Sequence, residues 1–143
     1  WIDFRRVFDT VASLFPLVVG VVWMLGGMVL LGLSMNFFNV FVTAMIIGVG
    51  VDYGVHMMHR YREEREGTLD HLIAGLTQTG KAVVLAALAN VVGFGSLVWS
   101  SYPGIQSIGY VAIMGSSSSA LVALTVLPAY LAIRLGRTRK SAD

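Results

Sequence analysis

Cysteine is absent from the chain. That excludes disulfides, thiolate metal sites and cysteine nucleophiles. Charge is also scarce, at 13% of residues against about 25% in an ordinary soluble domain. Hydrophobic residues make up 56%, and the mean hydropathy is +0.75. The deficit of charge is concentrated. No Asp, Glu, Lys or Arg occurs between Asp9 and Asp52, or between Lys81 and Arg134. Each gap has room for two helices of about 20 residues, the length that crosses a hydrocarbon core roughly 30 Å thick. The expected fold class is therefore all-α: a polytopic membrane protein with four transmembrane helices. A start-like leader is missing too, since the chain opens on Trp1 with no charged n-region before a short apolar run. It reads as a piece of a longer polypeptide.

The four spans are expected at about 14–33, 38–59, 81–99 and 105–133. Residues 1–13 mix Asp3, Arg5, Arg6 and Asp9 with aromatic and aliphatic residues, an amphipathic approach to the first span. Pro16 falls in the first turns of that span, where a missing donor is tolerated. Gly20, Gly26 and Gly27 offer surfaces for close helix packing. Between spans two and three lies the charged block Arg60–Glu66. A short cytoplasmic amphipathic helix is expected after it, near 68–79, from Leu69, Leu72, Ile73 and Leu76 at helical spacing. Pro103-Gly104 marks a tight turn before the last span.

The ten Lys and Arg residues all lie in the N-terminal segment, the central loop with Lys81 at its end, or the C-terminal tail. The other two connections have none. The positive-inside rule then places both termini and the central loop in the cytoplasm. Trp99 and Tyr102 fall at the outer interface, where amphipathic aromatics collect. The net charge of +2 fits a membrane surface rather than a nucleic acid, because the basic residues flank apolar spans. No nucleic-acid partner is expected; the bilayer is the partner.

Asp52 is the one carboxylate inside a span. Burying it near mid-helix costs about 2.5–3.5 kcal/mol on insertion scales, which points to a proton- or ion-binding group in a transport pathway. The bland alternative is a hydrogen-bond anchor between helices. At 100° per residue, Gly48, Asp52, His56 and His59 share one stripe. Gly48 leaves room for another helix. His56, one turn nearer the cytoplasm, is placed either to relay a proton or to snorkel to water; His59, beside Arg60, fits the second role. Asp52, His56 and His59 could in principle hold a metal, but no other strong ligand lies in any span, so no metal or cofactor is expected.

Two further motifs lead nowhere chemically. Gly48-Val-Gly50-Val-Asp52-Tyr53-Gly54 looks superficially like a dinucleotide fingerprint, but it sits inside an apolar span without a strand before it. Ser116–Ser119 has no accompanying base, and serines in membrane helices usually bond back to their own backbone or pack closely. No enzyme activity is expected.

From Gly48 to Glu64 the sequence resembles the fourth or tenth helix of RND-superfamily transporters, most closely the MMPL-type branch and its hopanoid-exporter relatives. The residues carrying the likeness are Gly48-Val-Gly50-Val-Asp52-Tyr53-Gly54-Val-His56 and His59-Arg60-Tyr61-Arg62-Glu63-Glu64. Asn36-Phe37-Phe38-Asn39, Val91–Leu97, Pro103-Gly104 and Leu124–Pro128 extend it, in order, over nearly the whole chain. The resemblance implies a large exporter of two six-helix repeats, of which this chain matches the last four helices of one half, with the C-terminal half favoured. It implies that Asp52 carries a proton, that Tyr53 is its hydrogen-bonding partner, and that the remaining half of the polypeptide faces them. It implies proton-driven export of a lipid or hydrophobic molecule from a bacterial inner (cytoplasmic) membrane. Alternatives without pumping are a sterol- or lipid-sensing membrane module and a protein-export-associated subunit. The chain departs from the family pattern at Ser116–Ser119, where a bulky aliphatic run is usual, and at Asn90, where Thr or Ser is usual.

Helix rise adds one expectation. Asp52 lies roughly 12 Å from Arg60 along its helix, and Asn90 and Thr125 about 13–14 Å from Lys81 and Arg134. The three are expected to form a supporting polar layer at one depth, facing the missing half.

Overall fold

In the computed structural model, residues 7–64 and 69–140 are described, with side chains over 10–64 and 70–132. The expected amphipathic approach at 1–13 therefore lies mostly outside the described residues. Four helices follow one another: α1 (Val7–Leu30), α2 (Phe37–Glu64), α3 (Leu69–Gly95) and α4 (Pro103–Lys140), with a 3-10 turn at Ser96–Trp99 after α3. All four are long and apolar enough to cross a membrane, and no strand occurs among the described residues. The all-α polytopic fold read from the charge-free gaps is the fold observed.

Helix ends follow local chemistry. α1 stops at Leu30 because Gly32 adopts φ +65, a left-handed conformation that suits glycine. Leu33 N–H then reaches the Met28 carbonyl (2.9 Å) and Gly32 N–H the Val29 carbonyl (3.1 Å), capping the last turn. Asn36 caps α2, its Oδ1 accepting from the Asn39 N–H at 2.9 Å. Pro103 opens α4 at the position where a missing N–H costs nothing.

The helix boundaries differ from the sequence expectation. α1 begins at Val7, so Pro16 stands well inside it and leaves the Ala12 carbonyl without its usual donor. The amphipathic stretch at 68–79 is helical but not separate: from Leu69 it forms the first turns of α3 and runs straight into the third span. The helices also extend past the hydrocarbon-length segments, because charged residues at a helix end are solvated without interrupting the backbone ladder.

α4 is the hub. Its span is 56% buried, whereas that of α3 is 17% buried. α1, α2 and α4 meet closely through small residues. Gly54 sits on the Ser13 carbonyl so tightly that a Cβ would overlap it, and a Cβ at Gly50 would come within 3.1 Å of Leu17 Cδ1 and 3.2 Å of Ser119 Oγ. Gly50 and Gly54, four apart, thus present one glycine face to α1. Gly20 packs on Ser119 and Gly27 on Met114, while Gly26 has nothing within 4 Å. Ser118 donates back to the Met114 carbonyl at 2.7 Å and lies 3.1 Å from the Gly20 carbonyl. The Ser119 hydroxyl is buried between these helices with no hydrogen-bond partner among the described residues.

At the end away from the basic residues, a polar clamp joins the α1–α2 turn to α4. Asn39 is fully buried; its Nδ2 donates to the Ser34 carbonyl at 2.9 Å. The Ser107 hydroxyl lies 3.0 Å from Asn39 Oδ1 and 2.8 Å from the Gly104 carbonyl, and Asn36 Nδ2 donates to Ser107 at 3.3 Å. Phe38 stacks edge-on against Tyr102 beside it, with centroids 6.2 Å apart.

Candidate functional site

Positions 49, 52, 53, 56 and 60 of α2 recur at the three-and-four spacing that puts side chains on one helix face. Opposite them α3 offers Gln78, Thr79 and Asn90 among Ala and Val residues. Together they line a groove of about 620 Å³ between the two helices. On α3, Leu72, Val83 and Ala87 are buried against the core, and Val83 also lines the groove.

Asp52 and His56 are exposed along this groove, and Asp52 makes no hydrogen bond or ion pair among the described residues. A membrane-embedded carboxylate left open on one side is what a titrating group needs: access for a proton and room for the charged form to find solvent or a partner. Tyr53, one residue on, turns the other way. Only 4% of it is exposed, its ring packing with Met57, Ala120 and Ala123 in the core. Its hydroxyl accepts from Asn90 Nδ2 at 3.1 Å and lies 3.3 Å from Ser116 Oγ on α4. One phenol thereby ties α2 to both α3 and α4.

The groove closes towards the basic end at Arg60. Its guanidinium pairs with Glu63 and Glu64, both at 3.3 Å, and a Cβ at Gly75 would come within 2.7 Å of Arg60 Nε. His59 lies off the groove, with Nε2 3.2 Å from Glu63 Oε1. Exposed pairs of this kind contribute at most about 1 kcal/mol, so they orient Arg60 more than they stabilise the fold.

Of the residues singled out from sequence, Asp52, Tyr53, His56 and Asn90 come together on the groove. Thr125 does not. It is exposed on α4, and its hydroxyl donates to the Leu121 carbonyl of its own helix at 2.6 Å. Helix rise sets depth but not direction round the axis, and Thr125 points elsewhere. Sequence reasoning missed Ser116, Arg60, Gln78 and Thr79. The available signal for Ser116 was its departure from the aliphatic run usual at that place in the family pattern.

The MMPL family model matches residues 9–143. MJ1562 of Methanocaldococcus jannaschii is 36% identical over 135 residues, covering 92% of this chain and 35% of that protein. The hopanoid transporter HpnN of Burkholderia multivorans is 32% identical over 128 residues, covering 90% of this chain and 14% of the transporter. The apo-petrobactin exporter of Bacillus anthracis is 32% identical over 99 residues, 67% of this chain and 13% of the exporter. The chain thus spans between about a third and about an eighth of the length of these relatives. No solved structure matches it significantly. With four membrane-length helices and a family match over nearly its full length, this chain is an integral membrane segment and belongs to the MMPL family.

Proposed function

We propose that this unit is part of a proton-driven exporter of lipids or other hydrophobic molecules, working by transport rather than catalysis. Asp52 is the proton carrier, His56 passes the proton along the groove towards the basic end, and Tyr53 with Asn90 forms the polar wall beside them. The observation that carries this reading is Asp52 itself: an exposed carboxylate on a membrane-length helix, unpaired among the described residues, on a groove holding His56 and Asn90. A purely structural anchor would be expected to end on a donor from a neighbouring helix. The names of the transporter and exporter among its relatives support export over passive sensing. The open α2–α3 face is the side on which the remaining half of a longer transporter fits.

The test is Asp52→Asn in the full-length protein. The amide keeps the shape but cannot cycle a proton. Export is expected to be abolished with expression and membrane insertion near normal; export at the wild-type rate overturns the reading. Orientation is testable separately. Cytoplasmic termini and central loop predict that Glu64→Cys resists impermeant thiol reagents in intact cells while Ser101→Cys labels, and the opposite pattern inverts the topology.

A further inference from the structure

A second groove of about 620 Å³ lies between the end of α3 and α4. Val91, Val92 and Gly95 of α3 and Trp99 of the 3-10 turn form one wall, Tyr110 and Ile113 of α4 the other. Gly95 makes the notch: a Cβ there would stand 3.5 Å from Ile113 Cδ1, and with none the space over Ile113 is left open. The walls are tied together without any ligand. Gln106 Nε2 donates to the Val98 carbonyl at 2.9 Å, and a Cβ at Gly109 would come within 2.9 Å of Val98 N. The one other hydroxyl on the α3 wall, Ser96 Oγ, is spent on the Gly93 carbonyl at 2.7 Å.

Depth says what this groove meets. With a rise of 1.5 Å per residue in α3 and about 2.0 Å in the 3-10 turn, Val91 lies roughly 15 Å from Lys81 and Trp99 roughly 29 Å. In a hydrocarbon layer about 30 Å thick, these are the midplane and the far edge. No charged residue occurs between Lys81 and Arg134. The groove thus runs from midplane to interface, the course of one acyl chain in one leaflet. Its interface end carries the Trp99 indole, a donor with no hydrogen bond among the described residues. A helix seated on the Asp52 groove would not cover it, because at 100° per residue Val91, Val92 and Gly95 stand nearly opposite Ala82, Ala86 and Asn90 on α3.

We propose that this groove binds one acyl chain of a glycerophospholipid from the leaflet away from the basic residues. The methyl end of the chain lies at Val91, its middle crosses Gly95 and Ile113, and the Trp99 N–H donates to the ester carbonyl at its head. The apolar run takes the chain, and the lone donor at the interface selects for an acceptor at its head. The site is separate from the Asp52 groove and does not depend on what Asp52 does.

The test is photolabelling of the full-length protein in vesicles of phosphatidylethanolamine and phosphatidylglycerol. The probe is phosphatidylcholine with a diazirine on one acyl chain, either near the ester or near the methyl end, and adducts are placed by peptide mass spectrometry. The ester-end probe is expected to label Trp99 and Tyr110, the methyl-end probe Val91. Val22 of α1, about 12 Å in from Leu30 and 59% exposed, reports contact with unbound lipid at a similar depth. Gly95→Leu fills the notch and is expected to lower Val91 labelling roughly threefold or more while Val22 labelling holds. Gly95→Ala, whose Cβ only touches Ile113, gives a smaller fall should the leucine variant fail to insert. Val91 labelled no more than Val22, the same adducts from both probes, or no response to either Gly95 variant would mean passing lipid contact without a site, and overturns the inference. A groove left unlabelled while Val22 is labelled overturns it too, since another helix or a more tightly held molecule then fills it.

Discussion

Two sides of this bundle use polar groups in opposite ways. On the sealed side, α1, α2 and α4 close on one another through glycines, serines and the Asn36–Asn39–Ser107 clamp. Asn39 there is fully buried, with both ends of its amide engaged. On the open side, between α2 and α3, Asp52 and His56 face a groove and Asp52 ends on nothing described. A buried amide whose donors and acceptors are all used has no further chemistry to offer; it fixes geometry. A carboxylate without such partners keeps its capacity to bind a proton or to pair with another group. Asn39 and Asp52 thus differ not in polarity but in whether their side chains end on partners.

That distinction can be broken experimentally. The largest effect is expected at Gly54→Ala on the sealed side. The new Cβ would overlap the Ser13 carbonyl, backbone that cannot swing away, so α1 and α2 must part; the loss is about 3 kcal/mol or more. Unfolding of the full-length protein in detergent mixtures measures it, with Gly26→Ala, which meets open space, as the unaffected control. A Gly54→Ala protein as stable as wild type would show that this contact is not close in the folded molecule.

Next comes a paired exchange. Asn39→Ala is expected to cost about 1–2 kcal/mol, since Ser34 and Ser107 lose partners, yet to leave export per folded molecule unchanged. Asn90→Ala removes one half-exposed bond to Tyr53, costs under about 1 kcal/mol, and is expected to reduce export more than tenfold. Unfolding curves and export rates on the same preparations check both. If Asn39→Ala impairs export per molecule and Asn90→Ala does not, the two sides do not divide as described.

The smallest effect is expected at Thr125→Val. Its hydroxyl serves only its own helix, so stability should change by less than about 0.5 kcal/mol and export not at all. A marked loss of export would return Thr125 to the polar layer expected from helix rise.

How far the sequence could be read follows from what each signal encodes. Charge-free gaps measure the cost of burying ions, which is large, so the number of membrane helices was legible from Asp9, Asp52, Lys81 and Arg134 alone. Asp52 stood out for the same reason. Helix ends were less legible because hydropathy reports where the hydrocarbon ends, not where the backbone ladder ends; hence Val7 rather than Leu14 opens α1. Azimuth was least legible. α4 is apolar or small on every side, so periodicity gives no direction: the nine-residue spacing puts Ser116 and Thr125 on opposite faces of the helix, but does not say which of the two meets α2. The glycine pair Gly50 and Gly54 was visible as a string, but its partner, the bare backbone at Ser13, has no sequence signature.

The continuity of α3 has a mechanical meaning. Twenty-seven residues at 1.5 Å each make a rod of about 40 Å, longer than the roughly 30 Å hydrocarbon layer. It has no proline and no joint between its amphipathic first turns and the 3-10 turn that ends at Trp99. Such a rod cannot absorb a push at one end. Leu72, near one end, and the Asn90 wall of the groove, near the other, therefore sit on one unbroken helix. The helix with the least buried surface is thus the one whose two ends are held at a fixed separation by its own backbone alone.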